Sequence, residues 1–169
     1  MSAIISDCGT YRYRLERETE RSGPAVAFIG VNPSTADASA DDATIRKMRG
    51  FAQRWGYSRF IVGNLFAFRA TDVKALRSAY GAPVDRRQQF ALESAHLFSI
   101  LSDAHLIVPC WGNIRKVPKQ LRPRIAEVLD LLTLAEKPTV CLGTTENGDP
   151  RHPLMLGYAT ELVTWRGYP

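Results

Sequence analysis

The sequence is poor in residues that bind metal ions or form disulfides, with only three cysteines and three histidines among 169 residues. Cys8, Cys110 and Cys141 are far apart, and they form neither a CxxC pair nor a His/Cys cluster at zinc spacing. An iron–sulfur cluster normally needs four cysteines. We therefore predict no metal site, and we expect Cys110 and Cys141, which stand in apolar runs, to be buried thiols.

Several other signals are missing. No apolar run approaches the roughly 18 residues that a membrane span needs. The beginning, MSAIISDCGTYRYR, has no basic region followed by an apolar one, so no signal peptide is predicted and a cytoplasmic location is the default expectation. The chain contains no GxSxG elbow, Walker loop, GxGxxG or HExxH motif, which argues against the enzyme classes that depend on them.

The composition predicts one globular domain over residues 1–169, because 45% of the residues are hydrophobic and 23% are charged. The formal net charge is +5 and the pI is about 9.3. This charge permits attraction to phosphates without requiring it, and a solvated surface accounts for clusters of basic residues more often than nucleic acid does.

Apolar runs of strand length alternate with helical patterns, which predicts an α/β domain with a mainly parallel sheet. The predicted strands are TYRYRLER (10–17), AVAFIGV (25–31), RFIVGNLFAF (59–68), HLIVPCWG (105–112), PTVCLG (138–143) and, at an edge, ELVTW (161–165). The predicted helices cover residues 41–56, 84–104 and 117–134.

The four main strands end in GVNPS, GNLFAFR, PCWGN and LGTTENGDPRHPL. Ligands of parallel α/β sheets bind outside the carboxyl ends of the strands. Each of these exits combines a glycine with Asn, Trp, Arg or His. Four such exits at one edge of the sheet predict a pocket there.

Each exit also has a purely structural interpretation. Asn32-Pro33 is either a rigid turn or an amide held at the edge of a pocket, where it can orient a water or a heterocycle. Asn64 is either a turn former, with Phe66 and Phe68 in the core, or an amide that reads a base edge beside a stacking ring and the guanidinium of Arg69.

The last two exits are ambiguous in the same way. Trp111 and Asn113 are either a core ring and a helix cap, or the start of a phosphate site with Arg115, Lys116 and Lys119 at a helix N-terminus. His152 stands in a loop rich in Gly and Pro, where it can donate a hydrogen bond to a developing oxyanion.

The acidic residues Asp37, Asp41 and Asp42 follow Asn32 closely. We expect Asp41 or Asp42 to cap the helix that follows. A carboxylate that activates a water is the functional alternative, and the sequence leaves open which of the three would do so.

Taken in order, Gly30-Val31-Asn32-Pro33, Asn64, Trp111-Gly112 and His152-Pro153-Leu154 resemble the motifs of the uracil-DNA glycosylase superfamily. The combination YRY, NPSTAD, DDATIRK, NLFAFRAT, WGN and PRHPL resembles a bacterial family of unknown function over nearly the whole chain. The first resemblance implies a three-layer α/β/α fold with a short parallel sheet. It also implies a base flipped out of DNA into the pocket.

The same resemblance implies roles for individual residues. His152 would bind the pyrimidine O2, Asn32 would position the water, Asn64 would read the base and Phe66 would stack on it. The uracil-specific branch has Tyr where this chain has Ser34, so we predict room for a 5-substituted pyrimidine, such as a modified base of phage DNA, and a role in defence. The loop lacks the family's longer Ser-Pro extension, but Leu154 or Met155 would be able to act as a wedge.

Our main hypothesis is therefore a monofunctional, monomeric DNA glycosylase without metal or cofactor. Hydrolysis or transfer at the glycosidic bond of free nucleosides or nucleotides, and a non-catalytic nucleic-acid-binding module, remain as alternatives. The predicted catalytic residues are Asn32, Asp42 and His152, and the predicted base-binding residues are Ser34, Asn64, Phe66 and Trp111. The predicted DNA-binding residues are Arg46, Arg69, Asn113, Arg115, Lys116, Lys119 and Arg151.

Overall fold

A five-stranded mixed sheet forms the centre of the protein, in the spatial order β1-β2-β4-β3-β5. The structure, a computed structural model, describes residues 1–34, 36–37, 39–81 and 83–168, without the side chains of 83–85. Thr35 of the NPSTAD motif lies outside the described residues. The strands are β1 (Ser2–Ile5), β2 (Arg12–Glu18), β3 (Ala25–Gly30), β4 (Arg59–Asn64) and β5 (Leu106–Pro109).

The α/β class is confirmed, but the prediction of a mainly parallel sheet is wrong. Strand β3 runs parallel to both β4 and β5, whereas β2 runs antiparallel to both β1 and β4. The short polar loop between β1 and β2 allows only an antiparallel hairpin, because a parallel pair needs a long crossover. The sequence interpretation missed β1 entirely.

Helices cover both faces of the sheet, because alternate residues of β3 point to opposite sides and all six are buried. Val26 and Phe28 pack in one core cluster with the first helix, and Ala27 and Ile29 pack in the other with the third and fourth. The helices in the described part of the chain are α1 (Ala43–Arg54), α2 (Leu76–Ala79), α3 (Pro83–Asp103) and α4 (Arg124–Leu134).

Helix α1 follows the sequence prediction closely. Its N-cap is Asp42, whose Oδ1 accepts a hydrogen bond of 2.8 Å from the Ile45 N–H. Ile45, Met48 and Phe51 are buried at helical spacing, so one stripe of the helix faces the sheet. Gly56, with φ of +83°, adopts the left-handed conformation that ends the helix.

The predicted helix over residues 117–134 begins too early. Only Arg124–Leu134 is α-helical, and the preceding segment forms two short 3-10 turns at Ile114–Lys116 and Lys119–Leu121. Pro118 and Pro123 interrupt the segment, because proline has no N–H to donate and disfavours helical conformation in the residue before it.

The last two strands are shorter than predicted and form a separate pair. Strand β6 (Val140–Cys141) runs antiparallel to β7 (Val163–Thr164), and a single bridge from Ile107 to Thr139 joins this pair to β5. Among the residues that the structure describes, the segment predicted as an edge strand pairs with β6 and not with the five-stranded sheet.

Cys110 and Cys141 are buried thiols, as expected, and Cys8 is exposed. Within the described residues, no group of three or more His, Cys, Asp or Glu side chains could hold a metal ion. None of the helices in that part of the chain is both long and apolar enough to cross a bilayer.

Candidate functional site

A cavity of about 240 Å³ lies where strands β3 and β4 end. Its walls come from the two strand exits, the start of β2, the beginning of α1 and the loop that carries His152. We call it the central cavity, and the polar side chains that define it are Arg12, Asn32, Ser34, Asp42, Asn64 and His152. Five of these six were predicted from the sequence as site residues.

The pairing of β3 and β4 brings two of the predicted motifs together. Gly30 lies opposite Asn64 in the parallel register, and a Cβ atom on Gly30 would stand 2.8 Å from the Asn64 Oδ1. Glycine is therefore needed at this position to leave room for the Asn64 carboxamide. The Asn64 Nδ2 group is buried and has no hydrogen-bond partner, so it is available to a ligand in the central cavity.

Asn32 joins the exits of the two strands. Its Nδ2 donates to the carbonyl of Ala70 at 2.6 Å and to the carbonyl of Pro33 at 3.1 Å. The Ala70 N–H donates in turn to the Pro33 carbonyl. Both amide hydrogens are thus used within the protein, and the atom that Asn32 offers to a water or ligand is its Oδ1.

His152 is held in one tautomer by its own loop. Its Nδ1 accepts a hydrogen bond of 3.3 Å from the Leu154 N–H, so a neutral ring carries its proton on Nε2. Burial lowers the pKa of His152 below its ordinary value; Lys116 adds to this effect and Asp42 opposes it. At neutral pH the imidazole is therefore uncharged and able to donate from Nε2.

The loop around His152 is fixed from behind by Gly112 and a buried carboxylate. Gly112, with φ of +72°, packs so closely that its Cβ would lie 3.4 Å from the Cβ of His152. Asp149 is fully buried and accepts a hydrogen bond from the Tyr168 hydroxyl, which accepts one from the indole of Trp111. This chain of contacts links the third and fourth strand exits.

The three acidic residues near Asn32 have different surroundings. Asp37 accepts hydrogen bonds from the residues at 39 and 40, and Asp41 forms ion pairs with Arg17 and Arg49. Of the three, only Asp42 lines the central cavity, while its Oδ1 also caps α1. Asp42 is therefore the best placed of the three carboxylates to contact a bound water.

Arg12 was not predicted as a site residue. Its side chain is buried, its Nη1 donates to the Ala36 carbonyl at 2.5 Å, and its Nε has no partner. Burial lowers the pKa of Arg12 to about 10, while Asp42 raises it, so Arg12 remains a cation at neutral pH. No sequence signal marked it, because strict alternation along TYRYRLER places Arg12 on the face opposite to Leu15; the register shift between β1 and β2 next to Arg12 interrupts that alternation. Thr44 and Thr71 also line the cavity and were likewise missed.

Two open recesses adjoin the central cavity. The first, of about 570 Å³, is bounded by Gly9, Thr10, Ser34, Phe68, Arg69, Ala70 and Thr71, and we call it the Arg69 recess. The second, of about 380 Å³, includes Asn32, Asp72, Trp111, Asn113, Lys116 and His152, and we call it the Lys116 recess. The central cavity thus has an open recess on each of two sides.

Two predicted base-binding rings do not line the central cavity. Phe66 is fully buried in the core, where its ring packs against Tyr80 and Phe90, so it is not available to stack on a base. The prediction for Phe66 is wrong because the chain after β4 enters the core, where Leu65, Phe66 and Ala67 are all buried. Trp111 is 3% exposed and borders the Lys116 recess instead.

The predicted DNA-binding residues are distributed over the surface around the cavity. Asn113 and Lys116 border the Lys116 recess, and Arg69 borders the recess named after it. Asn113 caps a 3-10 turn of three residues, so the helix N-terminus predicted at this place does not exist. Four further cations are exposed outside the three cavities, namely Arg46, Arg115, Lys119 and Arg151.

The comparisons with known proteins identify a family without identifying an activity. Neither the curated proteins nor the solved structures that were compared with the chain gave a match. Residues 12–154, from Arg12 on β2 to the His152-Pro153-Leu154 loop, match one family along most of the chain. The chain therefore belongs to the family described as "Protein of unknown function (DUF1643)".

Proposed function

We propose that the protein is a monofunctional DNA glycosylase that hydrolyses the N-glycosidic bond of a flipped, 5-substituted pyrimidine and leaves an abasic site. The observation that carries this proposal is the central cavity, in which a neutral imidazole N–H, an amide oxygen and a carboxylate meet at the carboxyl edge of the sheet. Its volume of about 240 Å³ lies below the roughly 300–1,000 Å³ of drug-sized pockets and suits one small ring.

Each group has a defined part in the reaction. The water held between the Asn32 Oδ1 and the Asp42 carboxylate attacks C1′, so that a C–O bond forms while the C1′–N1 bond breaks. The electron pair of the broken bond goes to the base, and the charge that develops on O2 is stabilised by the His152 Nε2–H. The water gives up one proton to Asp42, which passes it to solvent or to the departing base.

The loop beyond His152 favours DNA over a free nucleoside. Leu154 is 38% exposed and Met155 is 89% exposed, although both are large apolar side chains. Such side chains are used as wedges that enter a base stack when a nucleotide is flipped out. The exposed cations Arg151, next to His152 in sequence, and Lys116, which borders the same recess as His152, would contact the phosphates.

The fold is also compatible with the proposal. The parallel core β4-β3-β5, with helices on both faces, suits a three-layer α/β/α arrangement like that of the uracil-DNA glycosylase superfamily. In this arrangement the Asn32, Asn64 and His152 motifs belong to one edge of the sheet, where ligands bind.

The proposal is tested by incubating the protein with DNAs that carry uracil, thymine mismatches, hydroxymethyluracil, or plain and glucosylated hydroxymethylcytosine. Free bases are measured by mass spectrometry and abasic sites by alkaline cleavage. We expect release of a 5-substituted pyrimidine that is lost in His152→Ala and retained in His105→Ala, since His105 is an exposed histidine outside the cavity.

Other results would replace the proposal. Release from nucleosides but not from DNA would make the protein a nucleoside hydrolase. Binding of DNA without release of any base, unchanged in His152→Ala, would make it a binding module and would refute the assignment of the catalytic residues.

A further inference from the structure

The central cavity adjoins the Arg69 recess. Ser34, Ala70 and Thr71 line both, so the boundary between the two spaces consists of small side chains. His152, Asn32 and Asp42 line the central cavity and are not part of the Arg69 recess. The recess therefore adjoins the cavity beside Ser34, Ala70 and Thr71, and it shares no lining residue with the His152 side of the cavity.

The geometry of a pyrimidine ring then determines which atom faces this opening. In a six-membered ring, C5 lies directly across from C2. If His152 binds the O2 atom, as the proposed function requires, the far side of the ring presents C5. A substituent on C5 would pass Ser34 and enter the Arg69 recess.

Arg12 indicates the chemistry of that substituent. It is a buried cation whose Nε has no hydrogen-bond partner, and it lines the same cavity as Ser34. An unpaired buried donor is costly, and it is most simply satisfied by an acceptor that arrives with the ligand. The Arg69 recess adds further hydrogen-bonding groups, including the hydroxyls of Thr10 and Thr71.

We propose that this site selects pyrimidines whose 5-substituent carries oxygen acceptors, with Arg12 binding the first oxygen and the Arg69 recess receiving the rest of the group. The inference rests on the proposed function for the orientation of the ring. It goes beyond that function because it assigns a specificity role to Arg12 and names the chemical class of the substituent. A carboxylate, a hydroxymethyl group and a glycosylated hydroxymethyl group share this chemistry, whereas a methyl group does not.

The size of the recess supports a substituent larger than a methyl group. The recess, of about 570 Å³, is larger than the cavity that would hold the ring, and it is broadly open to solvent. The half-buried Phe68 offers an apolar surface among these polar groups. Such a surface suits the carbon face of a sugar.

Binding is the first test, because it does not depend on catalysis. Single-stranded oligonucleotides are prepared with one 2′-fluoroarabino pyrimidine, whose electron-withdrawing fluorine keeps the glycosidic bond intact. The 5-position carries hydrogen, methyl, hydroxymethyl, carboxylate or glucosylated hydroxymethyl, and affinities are measured by fluorescence anisotropy. We expect the three oxygen-bearing groups to bind at least about tenfold more tightly than methyl.

Arg12→Met should remove this preference, so that the oxygen-bearing oligonucleotides bind no more tightly than the methyl oligonucleotide. Arg14→Met is the matched control, because Arg14 lies on the same strand but forms ion pairs with Glu16 and Asp103 outside the cavity. Circular dichroism verifies the fold of both variants. A larger loss for carboxylate than for hydroxymethyl in Arg12→Met would assign the preference to charge.

Three results would overturn the inference: equal binding of methyl and oxygen-bearing groups, persistence of the preference in Arg12→Met, or exclusion of the glucosylated base. Release from the corresponding unfluorinated DNAs is measured separately. Preference in binding without any release would contradict the proposed function alone, and release without preference would contradict this inference alone.

Discussion

Two glycines on neighbouring strands allow the site and the core to be perturbed separately. Gly30 and Gly63 are one register step apart, since Gly30 pairs with Asn64 and Gly63 pairs with Ile29. Neither has the left-handed backbone that would itself strain an alanine. The two substitutions, Gly30→Ala and Gly63→Ala, differ only in what the added methyl group meets.

The contacts predict opposite outcomes for stability. At Gly63 the new Cβ would lie 2.8 Å from one methyl group of Leu97 and 3.0 Å from one of Ile100, so Gly63→Ala should overpack the core and cost about 1–3 kcal/mol. At Gly30 the nearest atom is the side-chain oxygen of Asn64, at 2.8 Å, which can move aside. Alanine also lowers the conformational entropy of the unfolded chain, which stabilises the folded protein by about 0.4–1 kcal/mol and offsets the cost of moving Asn64. The free energy of unfolding of Gly30→Ala should therefore be nearly unchanged.

For base release the prediction is the reverse: Gly30→Ala should be impaired and Gly63→Ala should not. Moving the Asn64 carboxamide would leave a buried edge of the base unpaired, which costs about 1–3 kcal/mol, or roughly five- to hundredfold in release. Melting temperature and single-turnover base release are measured for both variants. At about 2–4 °C per kcal/mol, only Gly63→Ala should lose several degrees. A stable Gly30→Ala variant with full activity would refute the role of Asn64 in the cavity.

Three further predictions follow from single contacts. His152→Ala should lower base release about 10²–10³-fold, because a donor to the developing charge is lost. It should lower the melting temperature by only about 2–4 °C, because one hydrogen bond from the Leu154 N–H is lost while Asp149 still anchors the loop. Equal loss of release in His105→Ala would contradict this. Asp41→Asn should lower the unfolding free energy at pH 7 by about 1–3 kcal/mol, because it weakens the charge-assisted hydrogen bond to the buried Arg17, which keeps its backbone acceptors. Burial alone would raise the pKa of Asp41, but hydrogen bonds from Arg49 and Arg17 lower it below 3.8. The stability that the ionised carboxylate contributes is therefore present above about pH 3.8 and is lost as the pH falls through the pKa of the folded state. Unfolding free energies of wild type and variant, measured by urea titration, should converge at low pH, and a difference that does not change with pH would exclude the ion pair as its cause. Met155→Ala should slow release from duplex DNA and leave single-stranded DNA unaffected, as measured with one base in both contexts; equal slowing in both would exclude a wedge.

The parts of the fold with strong local signals were predictable. The run of buried residues in β3 and the helical spacing of Ile45, Met48 and Phe51 both identify their elements correctly. From these strands, the rule that polar exits of parallel strands meet at one edge was enough to group Asn32, Asn64 and His152. All three line the central cavity.

Features set by tertiary pairing were not predictable in the same way. The direction of β2 is decided by its partners, and only in the antiparallel orientation does Arg12 reach the carboxyl edge of the sheet. The residues next to Phe66 in sequence favour the prediction that its ring stacks on a base. Its burial follows from packing against Tyr80 and Phe90, which come later in the chain.

The central cavity also contains buried polar groups that lower the stability of the folded protein. Among the residues that the structure describes, the Arg12 Nε and the Asn64 Nδ2 are both buried without a partner, and both belong to this cavity. Folding alone would favour apolar side chains of similar size there, since unpaired buried polar groups are destabilising. Sequences usually agree with their fold at every level except where function requires otherwise. Two unpaired donors beside an immobilised amide and a neutral histidine therefore point to a ligand that completes their hydrogen bonds.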